Sequence, residues 1–180
     1  TERSAMYFEL LKKLAIMDRC HCGPEMETAY KQLVDHFPGA RLLSYGDRNE
    51  VNNWLRPPHW YCKLAELSDE EGNIITSRDH HNLAVFSYSP SVDKTISLAE
   101  LQDHLFSDPA RPDAICFHFR NQYRHWAPEW GFAIPHMVRA GLSDAVRYHV
   151  HIDSGFDFSR EMVQSDYHHQ GQSDDTYLFV

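Results

Sequence analysis

The sequence has no apolar run approaching the ~20 residues that a membrane-spanning helix requires, and it has no low-complexity tract. Its first stretch, TERSAMYFELLKKLAIM, carries charge at both ends of a helical pattern and lacks a small-residue cleavage site, so it does not read as a signal peptide. Basic residues are scarce: 17 Lys and Arg stand against 26 Asp and Glu, a formal net charge of −9. Nucleic acid and anionic membranes attract clustered cations, so neither is an expected partner. Cys20, Cys22, Cys62 and Cys116 are too irregularly spaced for a disulfide framework, and a reduced, cytoplasmic chain is the simplest expectation. There is no HExxH helix, no Gly-rich phosphate loop and no GxSxG elbow. On motifs alone, nothing in the chain amounts to an active site.

What is present is globular: 180 residues, 42% hydrophobic and 24% charged, enough for one good core or two small ones. Met6, Leu10, Leu11, Leu14 and Met17 recur at helical spacing, as do Met26, Tyr30, Leu33, Val34 and Phe37 after the breaker CHCGP. Pro38-Gly39 ends the second helix, and ARLLSYG reads as a strand. From about residue 50 short strands and turns take over. Tyr61 to Leu67 and Ile74 to Thr76 flank SDEEGN as a hairpin. Asn82 to Tyr88, Ala114 to Phe119 and Trp130 to Ile134 read as further strands. Ser97 and Glu100 form a capping box that starts a short helix. In AVRYHVHID, Val146, Tyr148, Val150 and Ile152 share one face and Arg147, His149, His151 and Asp153 the other, a half-buried strand. EMVQSDYHHQ and the apolar TYLFV follow as two more. The resulting class is mixed α/β: helices and first strand over 1–47, an inserted mostly-β block over 48–142, and a return to sheet over 143–180.

Thirteen histidines raise the question of metal. Cys20-His21-Cys22 has no second pair at zinc-finger spacing, and adjacent residues rarely converge on one ion. His80-His81 and His168-His169 are neighbours that point to opposite faces of a strand. His149 and His151 share a face at i, i+2 and can chelate, although a solvated polar face explains them equally well. RNQYRHWAPEWGFAIPH sets Tyr123, Trp126, Trp130 and Phe132 among Arg120, Arg124, His125 and His136. Such a loop can line a small-molecule pocket, or its aromatics can cover the core of a small domain.

Four stretches, VNNWLRPPHWYCKLAELSDEEGNII, NLAVFSYSPSVDKTISLAELQDHLF, PDAICFHFRNQYRHWAPEWGFAIPH and GQSDDTYLFV, together resemble the amino-terminal part of aminopeptidase-like zinc proteins. The resemblance is to the bacterial branch that carries an inserted domain of unknown function. It is most specific from residue 51 to 136, with Trp130-Gly131-Phe132, His136 and NLAVFSYS as its better markers. DRCHCGPEMET departs at Cys20-His21-Cys22. The resemblance implies a peptidase sheet interrupted by a β-rich domain, with TYLFV as a central strand. It also implies a zinc-dependent hydrolase acting on peptide or amino-acid-derived substrates, with the zinc ligands beyond Val180. The expectation is then a fragment, a truncated chain or one completed by a partner, inactive alone, with no cofactor of its own. Arg120, Tyr123, Trp130 and His136 are the expected substrate-facing residues, and His149 and His151 the fallback metal ligands. A binding or oligomerisation module is the alternative, homo-oligomers included.

Overall fold

The computed structural model of the chain describes residues 2–19, 22–45, 50–51, 54–119, 126–159 and 163–166. TYLFV, His168, His169, Arg120, Tyr123, Cys20 and His21 lie outside them. The contacts divide the chain into two units, Thr1–His59 with Asp157–Val180, and Trp60–Phe156. One unit is thus discontinuous and the other is inserted into it, the mixed, interrupted architecture expected from the sequence. The breaks fall at 59/60 and 156/157, where the sequence pattern suggested 47/48 and 142/143.

The discontinuous unit opens with α1 (Glu2–Ala15) and α2 (Met26–His36). Leu10, Leu14 and Ala29 form its buried core, with Met17 and Leu33 packed against them. Leu11, one position round from Leu10, is 62% exposed, so the apolar pattern of α1 is wider than the face it buries. Between the helices, Asp18 donates its backbone N–H to Glu25 Oε2 at 2.6 Å, and Arg19 Nε donates to the Leu14 carbonyl at 2.7 Å. The second satisfies a carbonyl that the end of α1 leaves open. β1 (Arg41–Ser44) pairs antiparallel with β10 (Val163–Asp166), Arg41 opposite Asp166. This ladder joins the two distant segments of the unit. β2 (Glu50–Val51) and β3 (Trp54–Leu55) make a second small pair.

The inserted unit is built on an antiparallel sheet whose strands, from edge to edge, are β5 (Ile74–Ser77), β4 (His59–Asp69), β9 (Arg147–Asp157) and β6 (Val92–Ser97). β9 alternates as its sequence requires: Tyr148, Val150 and Ile152 are buried, while Arg147 and Asp153 are exposed. The β4–β5 hairpin turns on Asp69, whose Oδ1 accepts the backbone N–H groups of Glu71 (3.0 Å) and Asn73 (2.9 Å). Gly72 supplies the left-handed φ of 87° in that turn. Ser97 Oγ caps α3 (Leu98–Gln102), accepting Glu100 N–H at 3.3 Å, while the Glu100 carboxylate takes Lys94 Nζ at 2.7 Å.

Two apolar runs that read as strands are not strands. Residues 82–88 form turns around a single bridge, Val85 to Phe132, and end on Tyr88 at φ 66°. Residues 114–119 have no ladder among the described residues; their rings stack instead, His118 lying flat on Phe86 at 4.1 Å between centroids. Ala84, Val85, Phe86 and Tyr88 are buried without alternation, which marks the first run as core chain that need not be strand, whereas in the second only Cys116 is buried.

Candidate functional site

Three backbone hydrogen bonds bring the two stretches richest in family markers side by side. Phe86 N–H donates to the Gly131 carbonyl (2.9 Å), Ala133 N–H to the Ala84 carbonyl (2.8 Å), and Ile134 N–H to the Phe106 carbonyl (3.0 Å). β7 (Leu105–Phe106) and β8 (Phe132–Ala133) pair in parallel beside this crossing. Gly131 sits where no side chain fits: a Cβ there would stand 2.2 Å from Phe86 Cε2 and 2.5 Å from the His104 carbonyl oxygen. The glycine of the Trp-Gly-Phe triplet is therefore a packing requirement.

Trp130, expected to face a substrate, is only 8% exposed. Its indole stacks on the His104 ring at 3.6 Å and 15°, and Nζ of Lys94, on β6, lies 5.0 Å from its centroid. His104 Nδ1 lies 2.9 Å from the Trp130 carbonyl oxygen. A carbonyl can only accept, so Nδ1 carries the proton and Nε2 is left as the variable nitrogen. The indole thus meets both an imidazole, with one tautomer selected, and an ammonium.

His136 begins α4 (His136–Ala140), half-buried, and its Nδ1 shares a 3.1 Å hydrogen bond with Ser107 Oγ. Next to it, Asp108 pairs with Arg111 at 2.7 Å and accepts Ala110 N–H at 2.9 Å. The Arg111 hydrogen bond, helped by that amide, holds the Asp108 carboxyl below the usual range, so it stays an anion near the His136 ring. Arg139 anchors α4 through Gln102 and the Leu105 carbonyl. The arrangement can orient a histidine beside a hydroxyl and a carboxylate, which suits hydrogen bonding or proton exchange with a polar ligand. The sequence singles out His136 but not Ser107, Asp108 or His104, which no spacing pattern links to it. Phe119 and Trp126, on either side of the stretch holding Arg120 and Tyr123, are 75% and 67% exposed.

The remaining candidates are placed as follows. His149 and His151 lie on the outward face of β9, ring centroids 6.1 Å apart, and Asp93 Oδ1 on β6 takes His149 Nε2 at 2.8 Å. His81 Nδ1 accepts the Leu83 N–H at 3.1 Å in a turn, a local structural role. Cys22 is buried, and desolvation pushes its thiol up against the opposing pull of Arg56, which argues against a thiolate ligand or nucleophile. Among the described residues, no three His, Cys, Asp or Glu side chains stand where they could hold one ion. They do not fit a zinc peptidase centre, and no zinc-dependent step is assigned to them. No helix among them is long and apolar enough to cross a membrane.

The profile of a family described as a domain of unknown function, DUF2172, matches residues 59–155, close to the limits of the inserted unit. A Clostridium acetobutylicum protein is 25% identical over 180 residues, all of this chain and 40% of its own length. It is provisionally named as a polysaccharide biosynthesis protein with an aminopeptidase-like domain. A crystal structure from the same species, provisionally described as a peptidase, superposes with a TM-score of 0.72 at 23% identity. That match covers 91% of this chain and 37% of the other, and it is a likeness of fold.

Proposed function

The chain belongs to the DUF2172 family, and from that membership we propose that it is a non-catalytic portion of an aminopeptidase-like hydrolase, its β-rich unit shaping access to the substrate. The observation that carries the reading is the alignment of the whole chain with only 40% of a relative named for an aminopeptidase-like domain. In this reading the hydrolase is zinc-dependent, acts on peptide or amino-acid-derived substrates, and draws its metal ligands from outside this chain. Nothing in the chain's own chemistry then has to activate water. Its residues bind and orient.

His136 is the strongest candidate for that work. It is half-buried, held by Ser107, and close to a carboxylate kept ionised by Arg111. A histidine so held can donate to a substrate carboxylate or carbonyl from its other nitrogen. Trp130 is buried, and its role in this reading is as a platform for His104 and Lys94. Arg120 and Tyr123 belong to the same proposal through the sequence alone. The test is His136→Ala in the complete protein: kcat/KM on aminoacyl substrates should fall about 10-fold or more, on the scale of one lost charge-assisted hydrogen bond. Unchanged kinetics would remove His136 from the site.

The exposure of Phe119 and Trp126 favours a second reading, a module that binds a protein partner or a second copy through an aromatic hot spot. A self-associating chain whose association is lost in Trp126→Ala, with no effect of His136→Ala on hydrolysis, would select it.

A further inference from the structure

The outward face of β6 and β9 carries a grouping that the peptidase-like reading does not use. Register sets His149 opposite Thr95 and His151 opposite Asp93, so Asp93, His149 and His151 stand together on that face of two adjacent strands. Asp93 Oδ1 lies 2.8 Å from His149 Nε2. A carboxylate oxygen accepts, so in this hydrogen bond Nε2 carries the proton. That tautomer leaves the lone pair of His149 on Nδ1. A carboxylate gripping the far nitrogen of an imidazole is the arrangement that orients histidine ligands in metal sites, where it fixes the tautomer and raises the basicity of the ligating nitrogen.

The second imidazole is two residues along the same strand. The His149 and His151 ring centroids are 6.1 Å apart and inclined by 41°. An ion ~2 Å from each ligating nitrogen needs ring centres roughly 5 Å apart, so the rings must close by about 1 Å, within reach of a small χ1 change. The neighbouring cation is occupied: Arg147 Nη2 donates to the Thr95 carbonyl at 2.9 Å.

We propose that this face holds a surface site for a borderline divalent transition-metal ion of the Ni²⁺, Cu²⁺ or Zn²⁺ class. The ligands are His149 Nδ1 and one ring nitrogen of His151, water completes the shell, and Asp93 holds His149 from behind. Imidazole ligands without thiolate or further carboxylate suit these ions, Cu²⁺ most strongly, and do not suit Mg²⁺ or Ca²⁺. The site stands independently of the peptidase-like reading.

The test uses Ni²⁺ alone, titrated calorimetrically into the full 180-residue chain and into a His149→Gln/His151→Gln double variant, with near-ultraviolet circular dichroism confirming the fold of each. The double variant should bind one Ni²⁺ fewer per chain. Asp93→Asn should keep the stoichiometry and weaken the affinity about 10-fold, the usual effect of losing such a supporting partner. Sub-stoichiometric Cu²⁺ should broaden the amide resonances of residues 93 and 149–151 before any others. Equal Ni²⁺ uptake by the double variant, or first broadening elsewhere in the chain, would overturn the assignment.

Discussion

Gly131→Ala tests the crossing on which the candidate site is built. The added methyl would stand 2.2 and 2.6 Å from two atoms of the Phe86 ring and 2.5 Å from the His104 carbonyl oxygen. The ring cannot swing away cheaply, because it is 6% exposed and stacked on His118 at 4.1 Å. Nor can the carbonyl retreat, because it accepts Phe132 N–H at 2.9 Å. Overpacking of a well-filled core costs about 1–3 kcal/mol, and a clash with backbone as well as ring puts this substitution at the upper end, ~3 kcal/mol. Alanine recovers up to ~1 kcal/mol by restricting the unfolded chain, which leaves a net loss of about 2 kcal/mol. At about 2–4 °C per kcal/mol for a chain of this size, the melting temperature should fall by roughly 4–8 °C. Near-ultraviolet circular dichroism, which reads the stacked Trp130, is the assay. Gly141→Ala is the control: the nearest atoms to its Cβ would be 3.6 Å away, and stability should change by less than ~0.5 kcal/mol. A Gly131→Ala protein as stable as that control would refute the packing argument.

Other perturbations follow from single groups. Ser89 is fully buried and its Oγ has no hydrogen-bond partner among the described residues, although its carbonyl accepts from Trp60 Nε1 at 2.9 Å and Ser154 Oγ at 2.6 Å. Removing an unpaired buried hydroxyl removes a penalty, so Ser89→Ala should stabilise by ~1 kcal/mol in urea denaturation; a loss of similar size would show that the hydroxyl is bonded. The Asn73 side chain and amide, then the Glu71 and Gly72 amides, hold the Asp69 carboxyl below its ordinary value. A depressed carboxylate adds stability above its unfolded pKa of ~3.9 and loses it as pH falls through the lower folded value. The stability difference between the natural chain and Asp69→Asn should therefore be constant from pH 7 to about 5 and close below about 4. A difference that persists into strong acid would refute that assignment.

The elements legible in the sequence were those whose residues report on one local geometry. Alternation in AVRYHVHID gave β9, SDEEGN gave the hairpin turn, and Ser97 with Glu100 gave the start of α3. The hydrophobic run NLAVFSY has the look of a strand without being one, because burial, rather than pleating, explains its apolar residues: Ala84, Val85 and Phe86 are buried in a turn-rich segment. Trp130-Gly131-Phe132 was recognisable as a marker, but its cause, the close approach of Phe86 and His104, joins residues distant in sequence and is visible only in three dimensions. The same holds for Ser107 beside His136 and for Asp93 behind His149. Each is a pairing made by topology. No periodicity encodes it.

The central claim is that this chain supports hydrolysis without performing it. The direct measurement is aminopeptidase activity on a panel of aminoacyl p-nitroanilides, comparing the 180-residue chain with the longer protein that the proposal requires. The account predicts chelator-sensitive turnover by the longer protein and none by the chain alone. Turnover by the chain alone, or none by the longer protein on any substrate with a free amino terminus, would contradict it.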